Sequence, residues 1–270
     1  MSQVPSEILE LYDQGITAFA SPAELESRDS IPTRESDYPL TGTKWLKING
    51  VICVFLDMKN SSQLTADYNV RDAASIYQSF VDTGVRILDI FGASYIDVRG
   101  DGAFGLFDRN LPYHALAAAV SFKTFVEDYL LPIAKERFEG IDIGAHIGID
   151  QNEVLLVKRI GLKNQEGETD KQNEVWAGKT VNMSAKLASI GQRGEMVVSP
   201  RFYARIQNRY ALSSCECHGD PVTGKPKSLW EKRDVSNDHR FDFTYCWVMK
   251  THWCDQVGEG YMGYLLNEDK

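Results

Sequence analysis

Residues 94–107, SYIDVRGDGAFGLF, constrain the fold more than any other part of this chain, because they have the pattern of a β-hairpin with a charged turn. Alternating or apolar residues flank a turn in which Asp101 stands between Gly100 and Gly102. Two antiparallel strands joined by a tight glycine-containing turn show this pattern. The sequence therefore predicts an antiparallel strand pair that presents the Asp101 carboxylate at its tip.

A second carboxylate, Asp57, ends the most apolar predicted strand, residues 50–57 (GVICVFLD). Carboxylates at the ends of neighbouring strands can hold two divalent ions, an arrangement used for phosphoryl chemistry on nucleoside triphosphates. We therefore expect Asp57 and Asp101 to form a metal site, although each alone could equally cap a loop or fill a turn. Phe55 projects to the same side of the strand as Asp57. It is either core or the surface against which a base lies.

The composition is that of an ordinary soluble globular protein. The 270 residues are 43% hydrophobic and 25% charged, which is enough to build a core. The net charge of −9 argues against a nucleic-acid-coating surface. There is no apolar run long enough to span a bilayer, and the first residues lack the order of a signal peptide. We therefore expect a cytoplasmic protein with neither nucleic-acid nor membrane partners.

The five cysteines are an odd number, and we expect reduced thiols rather than disulfides. The spacing of the late cysteines and histidines is unusual for a zinc site, so partly buried thiols and surface imidazoles are the favoured interpretation. This group comprises Cys215, Cys217, His218, Cys246, His252 and Cys254.

The chain divides into two predicted parts. Residues 1–43 form an N-terminal helical appendage with one amphipathic helix, expected to cover the core or, alternatively, to dock on a second subunit. Residues 44–270 form one domain that carries both aspartates. Its pattern runs strand, helix, hairpin, helix, strand, helix, strand, helix. That order predicts a mixed sheet with helices packed on it, in the α+β class.

Within this domain, residues 112–131 are predicted to be a helix that stops at Pro132. The strand predicted for residues 141–149 contains glycines, which suggests that a ligand or another backbone comes close. Residues 163–174 are polar and are predicted to be a mobile loop. A helix is predicted for residues 180–190.

Four segments resemble the motifs of the class III nucleotidyl cyclases, the adenylate and guanylate cyclase superfamily. FLDMKNSSQL resembles the metal-aspartate segment, VRGDGAFGLF the GD hairpin, GAHIGI the GIHTG strand and WAGKTVNMSAKLAS the W-G-x-T-V-N helix. They follow the family order over roughly residues 51–230. The resemblance implies the class III cyclase fold, an α+β domain with a ferredoxin-like core and a mixed, mostly antiparallel sheet with packed helices.

The resemblance also implies the metal site and the assembly. Asp57 and Asp101 match the two metal-binding aspartates of the family, and the backbone carbonyl of Met58 matches the main-chain ligand beside the first. Two divalent cations, Mn²⁺ or Mg²⁺, are the implied cofactors. In this family the aspartates and the helix residues come from different subunits, so a homodimer with active sites at its interface is implied.

Three further residues match the part of the family's site that handles ribose and phosphate. Asn182 matches the asparagine that positions the ribose, and Lys186 stands where the family usually has a transition-state arginine. They are one helical turn apart, so both can contact one phosphate. Lys225, in GKPKSLW, resembles the phosphate-binding lysine of the family's K-G-K-G loop.

The base-reading positions depart from both purine codes. Asp97 stands where an adenylate cyclase has lysine and a guanylate cyclase has glutamate, and Arg99 lies on the same side of the strand. Either residue could reach the base, or the two could pair with each other. The second purine-reading position is Glu174 or Val175. The chain therefore looks most like the bacterial pyrimidine cyclases of Pycsar antiphage defence.

This resemblance implies a cyclase that converts CTP or UTP to the 3′,5′-cyclic monophosphate and pyrophosphate, with cyclic CMP or cyclic UMP as a signal in antiphage defence. CTP is the favoured substrate. The alternatives are an adenylate or guanylate cyclase with atypical base contacts, and a cyclase-like module that binds nucleotide without turnover.

Overall fold

The described part of the chain, which in this computed structural model comprises residues 4–162, 171–214, 226–251, 253 and 258–269, contains both helices and strands. A short 3₁₀ turn spans Glu35–Asp37, and a π-helical segment spans Phe125–Leu130. The helices and strands are α1 (Ser6–Ala20), β1 (Glu24–Arg28), β2 (Lys44–Lys59), α2 (Ser61–Asp67), α3 (Val70–Ile90), β3 (Tyr95–Arg99), β4 (Gly102–Asp108), α4 (Pro112–Thr124), α5 (Leu131–Arg137), β5 (Gly144–Leu162), β6 (Lys171–Ala177), α6 (Lys179–Ile190), β7 (Met196–Val198), α7 (Pro200–Tyr203), α8 (Arg209–Leu212), β8 (Trp230–Asp234), β9 (Tyr245–Met249) and α9 (Gly258–Leu266).

The described strands form one mixed sheet in the order β3-β4-β2-β5-β7-β9-β8, with β1 added beside β2 and β6 beside β5. The pairs β1–β2 and β5–β7 are parallel. The other pairs are antiparallel. The mixed, mostly antiparallel sheet with packed helices confirms the predicted α+β class.

The central strand β2 is buried on both faces of the sheet, which explains its continuous apolar run. On one face, Ile52 and Leu56 join the largest core cluster, together with Phe80 of α3. On the other face, Cys53 belongs to a second cluster. Helix α6 lies on this second face, where the Ser184 hydroxyl donates to the Cys53 carbonyl at 3.0 Å.

Gly148 on β5 allows α6 to lie directly on the sheet. A Cβ atom at this position would be 2.0 Å from the Ser184 carbonyl oxygen and 2.5 Å from the Ala188 nitrogen. The expectation that a ligand or another backbone approaches this strand is therefore confirmed, and the neighbour is the backbone of α6.

The predicted stop of the fourth helix at Pro132 is wrong. The π-helical segment Phe125–Leu130 follows α4, and α5 then begins at Leu131 with Pro132 in its first turn. Proline lacks an N–H, and in a regular α-helix its ring clashes with the carbonyl four residues earlier. The wider π-helical turn before Pro132 changes that spacing, so the chain continues as a helix.

Residues before 44 are part of the sheet, contrary to the predicted boundary between 1–43 and 44–270. Strand β1 pairs with β2, and Ile31 and Tyr38 are buried in the second core cluster. The Arg159 N–H donates to the Pro39 carbonyl at 3.0 Å. The boundary at residue 44 therefore separates segments that pack together.

Helix α1 does not cover the core. None of its residues is buried, and Phe19 is 92% exposed. Its apolar positions follow helical spacing, as predicted, but the expected docking on the body is wrong because its apolar stripe faces solvent in the single chain.

Two other expectations fall partly outside the described residues. Within the predicted loop 163–174, residues 171–174 belong to β6, which pairs with β5. Cys246 on β9 is buried, as a packed thiol would be. Residues 163–170 and the other late cysteines and histidines, Cys215, Cys217, His218, His252 and Cys254, lie outside the described residues.

Asp269, near the C-terminus, caps the first turn of α4. Its carboxylate accepts the backbone N–H groups of Tyr113 at 3.2 Å and His114 at 2.8 Å, and it lies 2.7 Å from His114 Nδ1. We expect Asp269→Ala to lower the free energy of unfolding by about 1–2 kcal/mol, the usual cost of losing a helix cap. Urea denaturation measures this loss. The exposed neighbour Glu268 serves as the control, and an equal loss in Glu268→Ala would contradict the capping role.

Candidate active site

The turn between β3 and β4 presents Asp101 at the tip of the hairpin. Arg99 lies opposite Gly102, so only Gly100 and Asp101 connect the two strands. Gly100 has a φ of 61°, a left-handed conformation that glycine adopts without the strain of a side chain. The predicted hairpin is therefore confirmed, with a glycine at the position where this turn requires one.

Asp57 lies on β2 beside this turn. Leu56 of β2 pairs with Ala103 of β4, two residues past Asp101 at the hairpin tip. A Cβ atom on Gly102 would lie 3.1 Å from Asp57 Oδ1 and 2.3 Å from the Leu56 carbonyl oxygen. The missing side chain of Gly102 thus allows the turn to close against Asp57, and the two aspartates become neighbours.

The pKa of Asp57 reflects this crowding. Burial, the largest cause, and the negative charge of Asp101 together raise it from its ordinary value of 3.8 to about 6, against the opposing effect of the Met58 N–H, which lowers it. On β5, His146 lies opposite Asp57. Burial and then the charge of Lys59 lower the pKa of His146, so it adds little positive charge at neutral pH.

The donor set fits hard divalent cations. The side chains of Asp57 and Asp101 offer carboxylate oxygens, and the Met58 carbonyl offers a third, which are the ligands that Mg²⁺ and Mn²⁺ prefer. A cation between the carboxylates would also relieve their repulsion. Across the described ranges, there is no group of three or more His, Cys, Asp or Glu side chains that could hold a metal ion.

The raised pKa of Asp57 has a consequence for metal-free protein. The folded state holds the Asp57 proton more tightly than the unfolded state, so the contribution of this group to stability is largest below about pH 4 and is lost as the pH rises to about 6. Asp57→Asn should remove this pH-dependent loss of stability. Urea denaturation in EDTA at a series of pH values measures how the free energy of unfolding of each protein changes with pH. Parallel curves would contradict the prediction.

Asp97 and Arg99, on the approach to the turn, pair with each other. Arg99 Nη2 lies 2.5 Å from Asp97 Oδ2, as a charge contact without hydrogen-bond geometry. The Asp97 side chain is 18% exposed and the Arg99 side chain 51%. Of the two arrangements that the sequence left open, the structure thus has the mutual pair, with Arg99 as its accessible end.

Phe55 lies at the edge of an aromatic cluster. Its ring stacks on Phe104 at 6.4 Å with an interplanar angle of 7°, and Tyr95 lies 6.1 Å from Phe104 and 4.8 Å from Trp176. Because Phe55 is only half-buried, it both contacts the core and borders the face that carries Asp57. The structure is compatible with either role predicted for it.

Glu174 is engaged within the chain. Its carboxylate accepts the Tyr95 hydroxyl at 3.1 Å and lies 3.2 Å from Arg159 Nε. Val175 is 41% exposed. From the sequence, Glu174 and Val175 are recognisable only as aligned positions. The Tyr95 and Arg159 partners of Glu174 leave no signal there, because they lie on other strands.

Asn182 and Lys186 lie one turn apart on α6, and their hydrogen-bond partners lie away from Asp57 and Asp101. Asn182 Nδ2 is 3.4 Å from the Gly178 carbonyl, and Lys186 Nζ donates to the Arg240 carbonyl at 3.0 Å. Within the described residues, no hydrogen bond or ion pair joins either side chain to Asp57 or Asp101. Lys225 lies outside the described residues.

No known family model matches the chain, but curated relatives do. It is 32% identical to a uridylate cyclase of Propioniciclava tarda over 259 residues, which cover 93% of this chain and 79% of the relative. It is 31% identical to a uridylate cyclase of Micromonospora echinofusca over 240 residues, covering 87% of this chain and 75% of the relative. Both alignments extend well beyond the four motifs.

Solved structures show the same fold. The adenylyl cyclase CyaB from P. aeruginosa superposes with a TM-score of 0.55 at 13% identity, over 79% of this chain and 99% of that one. The guanylyl cyclase Cya2 superposes with a TM-score of 0.56 at 13% identity, over 77% of this chain and 94% of that one. Together with the curated relatives, the fold confirms the family that the motifs indicated. The chain therefore belongs to the class III nucleotide cyclases and, within them, to the group of bacterial pyrimidine cyclases of the Pycsar type.

Proposed function

We propose that this protein is a metal-dependent cyclase that converts UTP to 3′,5′-cyclic UMP and pyrophosphate. The observation that carries the proposal is the juxtaposition of Asp57 and Asp101 beside the hairpin turn, in a chain of this family. The names of both relatives favour UTP. The preference for CTP that the sequence suggested has no support in those names, and UTP replaces it here.

The reaction requires in-line attack of the ribose 3′-hydroxyl on the α-phosphorus while pyrophosphate leaves. Two divalent cations, Mn²⁺ or Mg²⁺, held by Asp57, Asp101 and the Met58 carbonyl would lower the pKa of the hydroxyl and neutralise the triphosphate. Asp57 lies on β2 and Asp101 in the two-residue turn that leads into the adjacent strand β4, so backbone pairing between β2 and β4 sets the separation of the two carboxylates. A site on rigid strands keeps the reacting groups aligned.

The α6 residues would act on the ribose and the phosphates. Asn182 would hold the ribose in the orientation for attack, and Lys186 would place a positive charge beside the α-phosphate. Lysine offers a point charge rather than the bidentate fork of arginine. Lys225 would contact the outer phosphates.

We also propose that two copies of the chain form the complete site. In a single chain, Lys186 contacts Arg240 rather than the aspartate pair, which supports a site shared between subunits. Mixing the Asp57→Asn and Lys186→Ala proteins tests this. If each site is shared between subunits, a dimer of one copy of each variant contains one site in which both residues are native. We expect inactive single variants to recover activity on mixing. A mixture that stays inactive although subunits exchange would refute the shared site.

Asp97 and Arg99 are the proposed base-reading pair. The Asp97 carboxylate can accept the N3–H of uracil, a proton that cytosine lacks, while the Arg99 guanidinium can donate to O4. We expect Asp97→Asn to reduce kcat/KM for UTP by about 10-fold to 100-fold, the cost of one charged hydrogen bond, with a smaller change for CTP. If Asp97→Asn leaves the ratio of kcat/KM for UTP to kcat/KM for CTP unchanged, Asp97 does not take part in base selection.

The direct test of the proposed function is turnover of each of the four nucleoside triphosphates with Mn²⁺ and with Mg²⁺, with the products separated by chromatography. Cyclic UMP as the main product supports the proposal. Preferential turnover of ATP or GTP would favour a purine cyclase with atypical base contacts. Binding without product would favour a non-catalytic module.

The proposed role is a second-messenger signal in antiphage defence, made in the cytoplasm where nucleoside triphosphates are available. Among the described residues, no helix is long and apolar enough to cross a bilayer. Phage challenge of cells that carry the wild-type gene or Asp57→Asn, together with the neighbouring genes, tests this role. Equal survival of both strains would contradict it.

A further inference from the structure

A chain of four charged side chains runs from the interior of the sheet to α6. It begins at Asp150 on β5, whose side chain is fully buried. Arg201, in the first turn of α7, donates from Nε to Asp150 Oδ1 at 2.8 Å and from Nη2 to Oδ2 at 2.9 Å. A buried carboxylate needs such bidentate pairing, because an unpaired charge there would strongly destabilise the fold.

The same guanidinium also holds Asp242. Arg201 Nη1 lies 3.2 Å from both Asp242 carboxylate oxygens, and the guanidinium lies 5.6 Å from the centre of the Phe243 ring. Asp242 in turn accepts Lys179 Nζ at 3.0 Å. The charges of the four side chains alternate in sign, so each side chain is attracted to the next. Arg201 thus connects a buried strand to a surface segment, with a planar fork that lysine cannot reproduce.

Lys179 lies on the side of α6 that carries the proposed catalytic residues. It is three residues before Asn182 and seven before Lys186, spacings that place all three along one side of a helix. Residues 238–243, termed the 238–243 segment, contact this side at two points. Asp242 binds Lys179, and the Arg240 carbonyl accepts Lys186 Nζ at 3.0 Å.

The contacts of Asp242 with Lys179 and Arg201, termed the outer contacts, are too exposed to contribute much to the free energy of unfolding. The side chain of Asp242 is 30% exposed and that of Lys179 is 64% exposed. Ion pairs this exposed contribute little to folding, because water screens the two charges. Their geometric effect is larger, because they attach the 238–243 segment to the side of α6 that would contact the substrate.

We infer that Arg201 and Asp242 are positioning residues of the cyclase reaction, which hold the 238–243 segment against α6 and thereby set the position of the Lys186 ammonium. This inference rests on the proposed function, since it assigns Lys186 a role at the phosphates. Neither Arg201 nor Asp242 touches the substrate in this proposal. Their action passes through Lys179 and the Arg240 carbonyl.

The test begins with Asp242→Asn, which weakens the outer contacts and leaves the Asp150–Arg201 pair intact. We expect kcat for UTP to fall by about 10-fold to 100-fold, as for small misplacements of catalytic groups, with KM changed less than about twofold. Asp242→Glu should recover part of the loss. The matched control is Glu231→Gln, which removes another exposed ion pair, with Lys250 at 2.7 Å, and should leave kcat unchanged.

A double variant separates positioning from general damage. In a Lys186→Ala background, Asp242→Asn should cause little further loss, because its effect passes through Lys186. A full additional loss in that background, or an equal loss in Glu231→Gln, would overturn the inference. Arg201→Lys, which keeps the charge but loses the fork, should resemble Asp242→Asn, and wild-type kcat there would also overturn it.

Hydrogen exchange supplies a readout that does not depend on turnover. Asp242→Asn should accelerate exchange in the 238–243 segment and in the first turn of α6 while leaving β5 unchanged. If the wild-type protein turns over no nucleotide, the proposed function fails and the catalytic part of the inference fails with it. The exchange data then decide alone whether Asp242 links the two elements, and unchanged exchange would refute the link.

Discussion

Asp57→Asn should lower turnover of UTP at least about 10³-fold, because one of two carboxylates that hold the catalytic charges is lost and metal catalysis of this kind is worth several kcal/mol. The amide has nearly the shape of the carboxylate, so packing is kept. Burial and Asp101 already raise the pKa of Asp57. Removing its charge should therefore leave the metal-free protein at neutral pH at least as stable as the wild type.

Three measurements together check this prediction. Product formation gives kcat, Mn²⁺ titration followed by electron paramagnetic resonance gives metal affinity, and urea denaturation gives stability. The control is Asp82→Asn on α3, which removes an exposed carboxylate whose partner is Arg86 at 2.8 Å. Wild-type turnover in Asp57→Asn, or an equal loss in the control, would contradict the assignment of Asp57 to the metal site.

Gly148→Ala should be the most damaging small substitution in the sheet. Its Cβ would lie 2.0 Å from the Ser184 carbonyl oxygen and 2.5 Å from the Ala188 nitrogen, and both are backbone atoms that side-chain rotation cannot move. We expect the free energy of unfolding to fall by about 3 kcal/mol or more, at the upper end of overpacking effects. For a domain of this size, that corresponds to a fall in Tm of about 6–12 °C.

The matched control lies on the same strand. At Gly144 the added Cβ would meet only the Arg193 side chain, at 3.3 Å, and that chain can move. Gly144→Ala should therefore change Tm by no more than about 2 °C, as for a mild substitution. Because α6 must shift in Gly148→Ala, its turnover should also fall in the folded fraction. Equal Tm values for the two variants would mean that α6 does not lie on β5 as described.

Short-range patterns were sufficient for much of the fold. The apolar run of β2, the glycine turn before β4 and the helix at residues 180–190 are set by neighbouring residues, and each was predicted near its observed position. The proximity of Asp57 and Asp101 also followed, because Asp57 lies near the end of β2 and Asp101 lies in the tight turn that leads into the neighbouring strand β4. The motifs then identified the family, which longer alignments confirm.

Other features depend on contacts that no local pattern contains. The continuation of the helix through Pro132 depends on a π-helical turn, and the exposed stripe of α1 is amphipathic in sequence whether or not anything covers it. Glu174 is held by partners from two other strands. These interactions join residues far apart in sequence, and periodicity reports only on near neighbours.

By itself, the sequence determined the α+β class, the hairpin with its acidic turn and the motif residues, since these follow from strand periodicity, glycine conformation and residue order. Only the tertiary structure decided that Gly102 brings the turn against Asp57, that Gly148 seats α6 on the sheet, and that Asp97 pairs with Arg99. It also decided that Arg201 connects Asp150 to Asp242. The physical reason is that close packing and charge pairing depend on three-dimensional distance, and distance between strands and helices is set only when the whole sheet assembles.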